Sequence, residues 1–378
     1  MSKYLSGKTI NFLSAVVTVF VTLFAMIAAA SWKFNPTAYI HLADSDPLAA
    51  LAQKIDPTFT LVNGASHYDG VYYYAMALDP FATGQAHTLI DLAPYRYGHP
   101  LHGWLAALLS FGNNSLIPLA LAILSLIGVG LGSYYLSKLA EHFGLSPWWG
   151  IAFAAHPGIL FSSINSTTEP IGLALILMLI WFYLQKNSNI WILGALSILL
   201  CLDKEQYVLI VVALAFWDLW QRRNNKSSLQ SQLMRFFIIN CGIVVLAIWY
   251  LYVHSVFGQF PNHYGEGVFG LPFLGWITAF KYSVAWQSGS FDQSQMGTLV
   301  IPMLTSYLVI YGVAISKLVK MHNVIGPMAL GQIVISFCHG WLNLTFPHEI
   351  MRDQAISLFL ALMVIIIPRE KPSQRRKS

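Results

Sequence analysis

Charged residues are scarce in this chain of 378 residues, because aspartate, glutamate, lysine and arginine together make up only 10% of it. Soluble domains carry about a quarter charged residues. Hydrophobic residues reach 56%, and the mean hydropathy is +0.58. The composition therefore excludes an ordinary soluble domain and predicts an all-α membrane protein with several helices that cross the bilayer.

Cysteine is scarce as well, and neither cysteine nor histidine shows the spacing of a metal site. The three cysteines lie in or beside apolar runs with no paired spacing, which argues against a disulfide framework. His67, His99 and His348 form no His-x-x-x-His pair of the kind that binds zinc on a helix. We predict structural or hydrogen-bonding roles for them, with neither a metal nor another cofactor.

Ten apolar runs indicate a polytopic bundle of about ten transmembrane helices. The first, residues 10–32, suits a retained span better than a signal peptide because about 20 apolar residues match the bilayer. Residues 101–112 are apolar but too short to cross, which predicts a juxtamembrane or re-entrant helix. The remaining runs are 115–137, 147–165, 168–185, 189–202, 206–221, 235–257, 297–317, 323–345 and 354–368.

The lysines and arginines predict the orientation of this bundle. With the N-terminus in the cytoplasm, 15 of the 21 positive residues lie on the inner side, including a basic tail over 369–378. The net charge of +5 thus reflects topology and does not indicate a nucleic-acid partner. This orientation predicts two large outer segments, 33–113, which contains juxtamembrane helices, and 258–296. Within the second, residues 271–287 either lie flat over a lipid groove or form an ordinary interfacial connector.

The most distinctive polar stretch, residues 66–74, lies in the first outer segment and reads Ser-His-Tyr-Asp-Gly-Val-Tyr-Tyr-Tyr. Asp69 precedes a glycine, which permits a sharp turn, and a row of tyrosines suited to a lipid interface. The pattern has two interpretations: a positioned carboxylate, or an Asp-Gly turn in a wet loop.

Other charges sit between apolar runs that leave almost no loop for them, and all emerge on the outer face. Charges at the end of a membrane helix are costly unless they pair or line a wet cavity, so a functional cavity is the default hypothesis. A tight turn with a Lys–Glu pair and an arginine snorkelling to the interface are the alternatives. These charges are Glu169, the triplet Asp203-Lys204-Glu205, and the group His348, Glu349, Arg352 and Asp353.

The order of these elements resembles multi-pass glycosyltransferases of the GT-C superfamily, and most closely bacterial relatives of the mannosyltransferases of GPI-anchor assembly. The resemblance covers roughly residues 10–215. Tyr68 stands where the eukaryotic relatives usually have tryptophan. The elements that carry the resemblance are Asp69-Gly-Val-Tyr-Tyr, Tyr95-Arg96-Tyr97, His156-Pro157, Ser166 to Glu169, and Lys204-Glu205.

The resemblance implies transfer of a sugar from a polyprenyl-phosphate carrier to an acceptor hydroxyl at the outer face, with inversion. Asp69 would be the general base. Arg96, Lys204 and Arg352 would stabilise the phosphate leaving group, with no need for a metal. The expected partners are the lipid-linked donor, a glycan, lipid or protein acceptor, and membrane lipids. Six further residues would orient the cations or contact the substrate, namely Tyr68, His99, Glu169, Glu205, His348 and Glu349.

A transporter or flippase for a lipid-linked glycan is the alternative function. Such proteins bind and release a substrate with the same kinds of charge, and they often show paired halves with broken helices in matching positions. This sequence has one large outer segment near its N-terminus and no evident repeat. The asymmetry favours the enzyme.

Overall fold

A computed structural model describes residues 6–64, 67–186, 188–223, 228–262, 267–287, 291–318 and 321–368. Within these ranges the regular structure is helical, and the only bridges are isolated ones that pair Ala43 with Val62 and Phe269 with His339. This confirms the predicted all-α fold. The basic tail at 369–378 lies outside the described residues.

The first outer segment forms short helices, as predicted. Helix α5 has nine residues and packs against α3 and α6. Its length of about 14 Å is too short to cross a bilayer alone. The elements up to this point are α1 (Gly7–Ala29), α2 (Pro47–Ile55), α3 (Gly70–Leu78), α4 (Ala93–Arg96) and α5 (Leu101–Leu109).

The middle of the chain differs from prediction at residues 147–165, which do not form one span. His156 has an extended backbone (ψ 116°) because the ring of Pro157 disfavours a helical residue before it. The run is thereby divided into two short helices. The helices here are α6 (Ile117–His142), α7 (Ala152–Ala155), α8 (Pro157–Ile164), α9 (Glu169–Leu184), α10 (Ile190–Asp203) and α11 (Val208–Arg222).

The predicted span at 323–345 is also interrupted, because its helix ends at Cys338 and His339 is extended (ψ 135°). Residues 271–287 are largely helical, while their placement flat on the membrane stays a prediction. The last helices are α12 (Leu229–Ile239), α13 (Cys241–Phe257), α14 (Leu274–Gln287), α15 (Phe291–Leu318), α16 (Ile325–Cys338), α17 (Leu342–Thr345), α18 (Pro347–Asp353) and α19 (Ala355–Ile366).

Few of these helices are long enough to cross a bilayer alone. Among the described residues, three stretches pass by length and composition (Gly7–Ala29, Asn114–His142 and Gly297–Leu318), and the pair α12–α13, bent by 43°, makes a fourth. Four shorter apolar helices, α9, α10, α16 and α19, have 12 to 16 residues. Within the described ranges, the other apolar helices are therefore shorter than a full-length span, and the number of crossings stays a prediction.

The short helices share one feature: each begins or ends at a polar residue of the same region. Glu169 begins α9, Asp203 ends α10, and His339 follows the end of α16. Helix α19 begins just after the charged end of α18. The short apolar helices therefore end at a cluster of polar residues inside the bundle.

The bundle is organised around α6, which packs against α1 and α9, while α16 packs against α11 and α19. Asn11, near the start of α1, donates a hydrogen bond to Glu141 (3.1 Å), near the end of α6, so these two helices run antiparallel. Helix α11 leaves the charged triplet and carries Asp218 roughly 15 Å further along its axis.

Candidate active site

A cavity of about 360 Å³ lies where the short helices end. Its lining combines charged and polar side chains with apolar and aromatic ones, and these come from distant parts of the chain. Polar lining residues include Asp69, Arg96 and His99 from the first outer segment, Lys204 and Glu205 from the triplet with the adjacent Gln206, and His339, Asn343, Glu349, Arg352 and Asp353 from the C-terminal region.

Asp69 immediately precedes α3, yet its carboxylate makes no hydrogen bond that caps the helix. Gly70 is not needed for a left-handed turn, since its φ is not positive. A Cβ at Gly70 would lie 2.6 Å from the carbonyl oxygen of Asn165 and 2.8 Å from that of Ile40. The glycine therefore permits close backbone packing that fixes Asp69, which is a different reason from the turn suggested by the sequence.

Two arginines hold the Asp69 carboxylate. Arg96 Nη1 lies 3.4 Å from Oδ1, and Arg352 Nη1 donates to Oδ2 across a separation of 283 residues. Burial opposes ionisation of this carboxyl, but the two guanidinium groups outweigh it and hold the pKa of Asp69 well below its ordinary value. Asp69 is therefore ionised in the structure.

Arg352 is shared among several carboxylates. Besides bonding Asp69, its Nη2 lies 2.8 Å from Glu349 Oε2, and its Nε lies 3.3 Å from Asp353 Oδ1 and 4.0 Å from Glu169 Oε1. Burial raises the pKa of Glu349 to about 7 even though Arg352 acts in the opposite direction. One cation thus faces more anionic groups than it can neutralise, and Glu349 titrates near neutrality.

Lys204 is positioned by Glu169, whose side chain is only 2% exposed. Lys204 Nζ donates to Glu169 Oε1 (2.6 Å), and Thr167 Oγ1 donates to Oε2 (2.6 Å). Burial disfavours the ammonium, but the carboxylate of Glu169 raises the pKa of Lys204. The Lys204 side chain lines the cavity, whereas the Glu169 carboxylate is buried behind Lys204.

Arg96 is held by an aromatic face. Its guanidinium carbon lies 3.5 Å from the centre of the Tyr72 ring, and its Nη2 lies 3.6 Å from Asp91 Oδ1. The Tyr72 hydroxyl is 2.8 Å from His67 Nε2, and His67 Nδ1 is 2.7 Å from Asp46 Oδ1. A continuous series of contacts in the first outer segment therefore supports the arginine that faces Asp69.

Seven of the ten residues predicted from the sequence line the cavity, and three do not appear among its described lining residues. Tyr68 lies behind Arg352, with its ring centre 5.1 Å from the guanidinium carbon. Glu169 is buried behind Lys204, and His348, 43% exposed, packs against Tyr68 and Phe346. The structure places these three as supports of lining residues. The seven are Asp69, Arg96, His99, Lys204, Glu205, Glu349 and Arg352.

Other lining residues were not predicted. His339 and Asn343 fall in a run interpreted as membrane-spanning, yet Gln332, Ser336, His339 and Asn343 recur at intervals of four, three and four, which would have indicated a polar stripe. Tyr72, Tyr73 and Met76 lie three, four and seven residues after Asp69, on one face of α3. Lining residues without such a pattern are Leu92, Tyr95, Gln206, Val268, Phe269, Leu342 and Phe346.

No group of three or more histidine, cysteine, aspartate or glutamate side chains in the described ranges is arranged to hold a metal ion. The cavity lining instead offers three cations close to carboxylates. This arrangement suits an anionic group such as a phosphate, which arginine and lysine bind through charge-assisted hydrogen bonds.

No protein-family model matches this chain, and no curated protein matches it. Among solved structures it is similar to the crystal structure of ArnT from Cupriavidus metallidurans in the apo state, with 17% sequence identity and a TM-score of 0.45. The match covers 96% of this chain and 61% of that one, so this chain spans less than two thirds of the ArnT chain. A similarity of this size says nothing about substrate or reaction.

Proposed function

We propose that this protein is a multi-pass membrane glycosyltransferase of the GT-C type, which transfers a sugar from a polyprenyl-phosphate carrier to an acceptor hydroxyl. One observation carries the proposal: an ionised carboxylate and three cations from separate parts of the chain meet at one cavity. Charged groups that are buried beside a cavity in a membrane protein are candidates for a functional site.

In this reaction the acceptor oxygen attacks the anomeric carbon, and the bond from that carbon to the phosphate oxygen breaks with its electron pair leaving on the phosphate. The acceptor proton passes to Asp69. Attack opposite the leaving group inverts the anomeric centre. Asp69 suits the role of acceptor because it is ionised, although its two arginines make it a weak base at rest.

Donor binding reconciles the weak basicity of Asp69 at rest with its role as proton acceptor. The donor phosphate is a second anionic partner for Arg96 and Arg352, and their attraction to it weakens their hold on Asp69. Because an opposite charge nearby lowers the pKa of a carboxyl, loss of part of that contact makes Asp69 a stronger base. Basicity at Asp69 therefore rises when the donor is in place.

The same cations stabilise the departing phosphate, whose negative charge grows in the transition state. Lys204 adds a third positive charge, held toward the cavity by its bond of 2.6 Å to Glu169. In this scheme Arg352 contacts both the base and the leaving phosphate. Its guanidinium group can bind two acidic groups at once, as its contacts with Asp69 and Glu349 show.

The membrane arrangement belongs to the same proposal. The site faces the periplasm or exterior of an inner-membrane protein whose termini are cytoplasmic. The outer segment 33–113 supplies Asp69 and Arg96, and segment 258–296 supplies Phe269. The acceptor is a glycan, a lipid or a protein, and no metal is required.

The function is tested in two stages. Mass spectrometry of lipids and glycans from cells with and without the gene identifies candidate donors and acceptors. The purified protein is then reconstituted in liposomes with the accumulated polyprenyl-phosphate sugar. Appearance of free lipid phosphate together with the glycosylated acceptor supports the enzyme, whereas the intact lipid-linked sugar in the opposite leaflet would establish the transporter instead.

A further inference from the structure

His339 stands out because it lines the cavity, is only 3% exposed, and has no part in the proposed proton or phosphate chemistry. Its backbone is held firmly: the Gly340 N–H donates to Val268 O (2.8 Å), and a Cβ at Gly340 would lie 1.9 Å from Gly267 O. The ring packs edge-on against Phe269, with centroids 5.1 Å apart. The imidazole is thus fixed beside an aromatic wall.

The orientation of the Gln354 amide in the structure assigns the proton of His339 to one ring nitrogen. Gln354 Oε1 accepts hydrogen bonds from Ser336 Oγ and from the Tyr311 hydroxyl (3.1 Å). Its Nε2 therefore faces His339 Nδ1, at 2.7 Å. An amide NH₂ group only donates, so Nδ1 accepts, and a neutral imidazole that accepts at Nδ1 carries its proton on Nε2.

The cavity lining includes uncharged residues as well as the three cations. Gln206 and Asn343 are uncharged, and Phe269 supplies an apolar face. Phosphate is matched by cations, whereas the hydroxyls of a sugar are matched by a few placed neutral hydrogen-bond groups beside an aromatic surface.

We propose that His339 uses Nε2–H to bind a hydroxyl of the donor sugar, and that Phe269, His339 and Asn343 form the sugar-binding wall of the cavity. This inference rests on the proposed function and names the part of the site that selects the sugar. A site built to hydrogen-bond a hydroxyl discriminates strongly against a ligand that lacks it.

Two matched substitutions separate this role from a structural one. In His339→Gln the side-chain amide reaches the position of Nε2, so a donor toward the cavity is kept while the contact with Gln354 is lost. In His339→Asn the amide sits at the position of Nδ1, so the contact with Gln354 is kept while the donor toward the cavity is lost. Thermal unfolding of both variants checks that they fold.

The measurement is equilibrium binding, without acceptor, to protein in nanodiscs. The probes are polyprenyl-phosphate mannose, polyprenyl-phosphate glucose and sugar-free polyprenyl phosphate. We expect at least one sugar-bearing lipid to bind the parent more tightly than the sugar-free lipid. His339→Asn should weaken that binding about tenfold, and His339→Gln less than about threefold, the scale of one hydrogen bond. Neither should alter binding of the sugar-free lipid.

The contrary outcomes are distinguishable. If His339→Gln loses affinity and His339→Asn keeps it, the histidine acts only through Gln354, and the assignment is overturned while the proposed function stands. Equal binding of all three lipids to the parent would overturn the sugar-binding wall. If none of the three binds the parent, the proposed function fails and the inference fails with it.

Discussion

Two ion clusters in the described part of the chain share one composition, an aspartate held by two arginines, and differ in their surroundings. The cavity triad consists of Asp69, Arg96 and Arg352. The helix-end triad consists of Asp218, Arg222 and Arg235, with both Arg222 Nε and Arg235 Nε 3.0 Å from the carboxylate.

The members of the helix-end triad are close in the sequence, and they pair with one another. Arg222 lies one helical turn after Asp218, and Arg235, on the next helix, donates to both carboxylate oxygens. Asp218 is 3% exposed, so its hydrogen-bonding capacity is used within the protein. These contacts tie α11 to α12.

The members of the cavity triad are far apart in the sequence, and the triad is exposed to the cavity. Its aspartate is 29% exposed at a cavity, and its Arg352 is shared with Glu349 and Asp353. In the proposed function, the donor phosphate is a further partner for these two arginines. The members of the helix-end triad are not among the residues that line this cavity.

The largest expected effect is on catalysis by the cavity triad. Asp69→Asn should lower the rate of sugar transfer at least about a hundredfold, the usual scale for a positioned base. Asp218→Asn is the matched change in the other triad and should leave the rate of correctly folded protein close to that of the parent. Product formation per mole of folded protein measures both, and equal losses would remove the distinction between the triads.

Arg352→Ala should raise the KM for the lipid donor about thirtyfold, because a buried hydrogen-bonded charge is removed and its carboxylate partners are left unpaired. Arg352→Lys keeps the charge but cannot reproduce the planar fork that spans Asp69 and Glu349, so only part of the affinity should return. Initial rates at varied donor concentration provide the test. A parental KM in both variants would refute the phosphate-binding role.

Arg235→Ala should destabilise the fold by about 1.5 kcal/mol, the scale of a hydrogen bond to a charged group, because Arg222 still pairs with Asp218. Thermal unfolding in detergent measures the loss. Transfer activity at low temperature should persist, in contrast to the Arg352 variant. An inactive but normally stable Arg235→Ala protein would show that the helix-end triad takes part in function.

The smallest effect is a dependence on pH. Burial raises the pKa of Glu349 to about 7, so this side chain gains a negative charge as the pH rises from 6 to 8. The added charge repels the donor phosphate and competes for Arg352, so the donor KM should rise about threefold over this range. In Glu349→Gln the KM should stay flat between the same pH values, and an unchanged slope would assign the titration to another group.

Some of this molecule was predictable from its sequence. The scarcity of charge predicted the helical membrane fold, since apolar composition acts on the chain as a whole. The isolated charges beside apolar runs and in the first outer segment predicted the charged part of the cavity lining, because charges at the ends of membrane helices require a wet or paired setting. The short length of the apolar run at 101–112 likewise excluded a span, and α5 confirms this.

Tertiary packing decided the rest. The pairing of Asp69 with Arg352 depends on how helices 283 residues apart are stacked, which no local pattern records. Gly70 is explained by the carbonyl groups of Asn165 and Ile40, not by its own backbone angles. His339 lay within an apolar run, and only the interruption of α16 after Cys338 turned it toward the cavity. Local sequence sets hydrophobicity and turn preference, whereas contacts between distant segments are selected by packing energy over the whole chain.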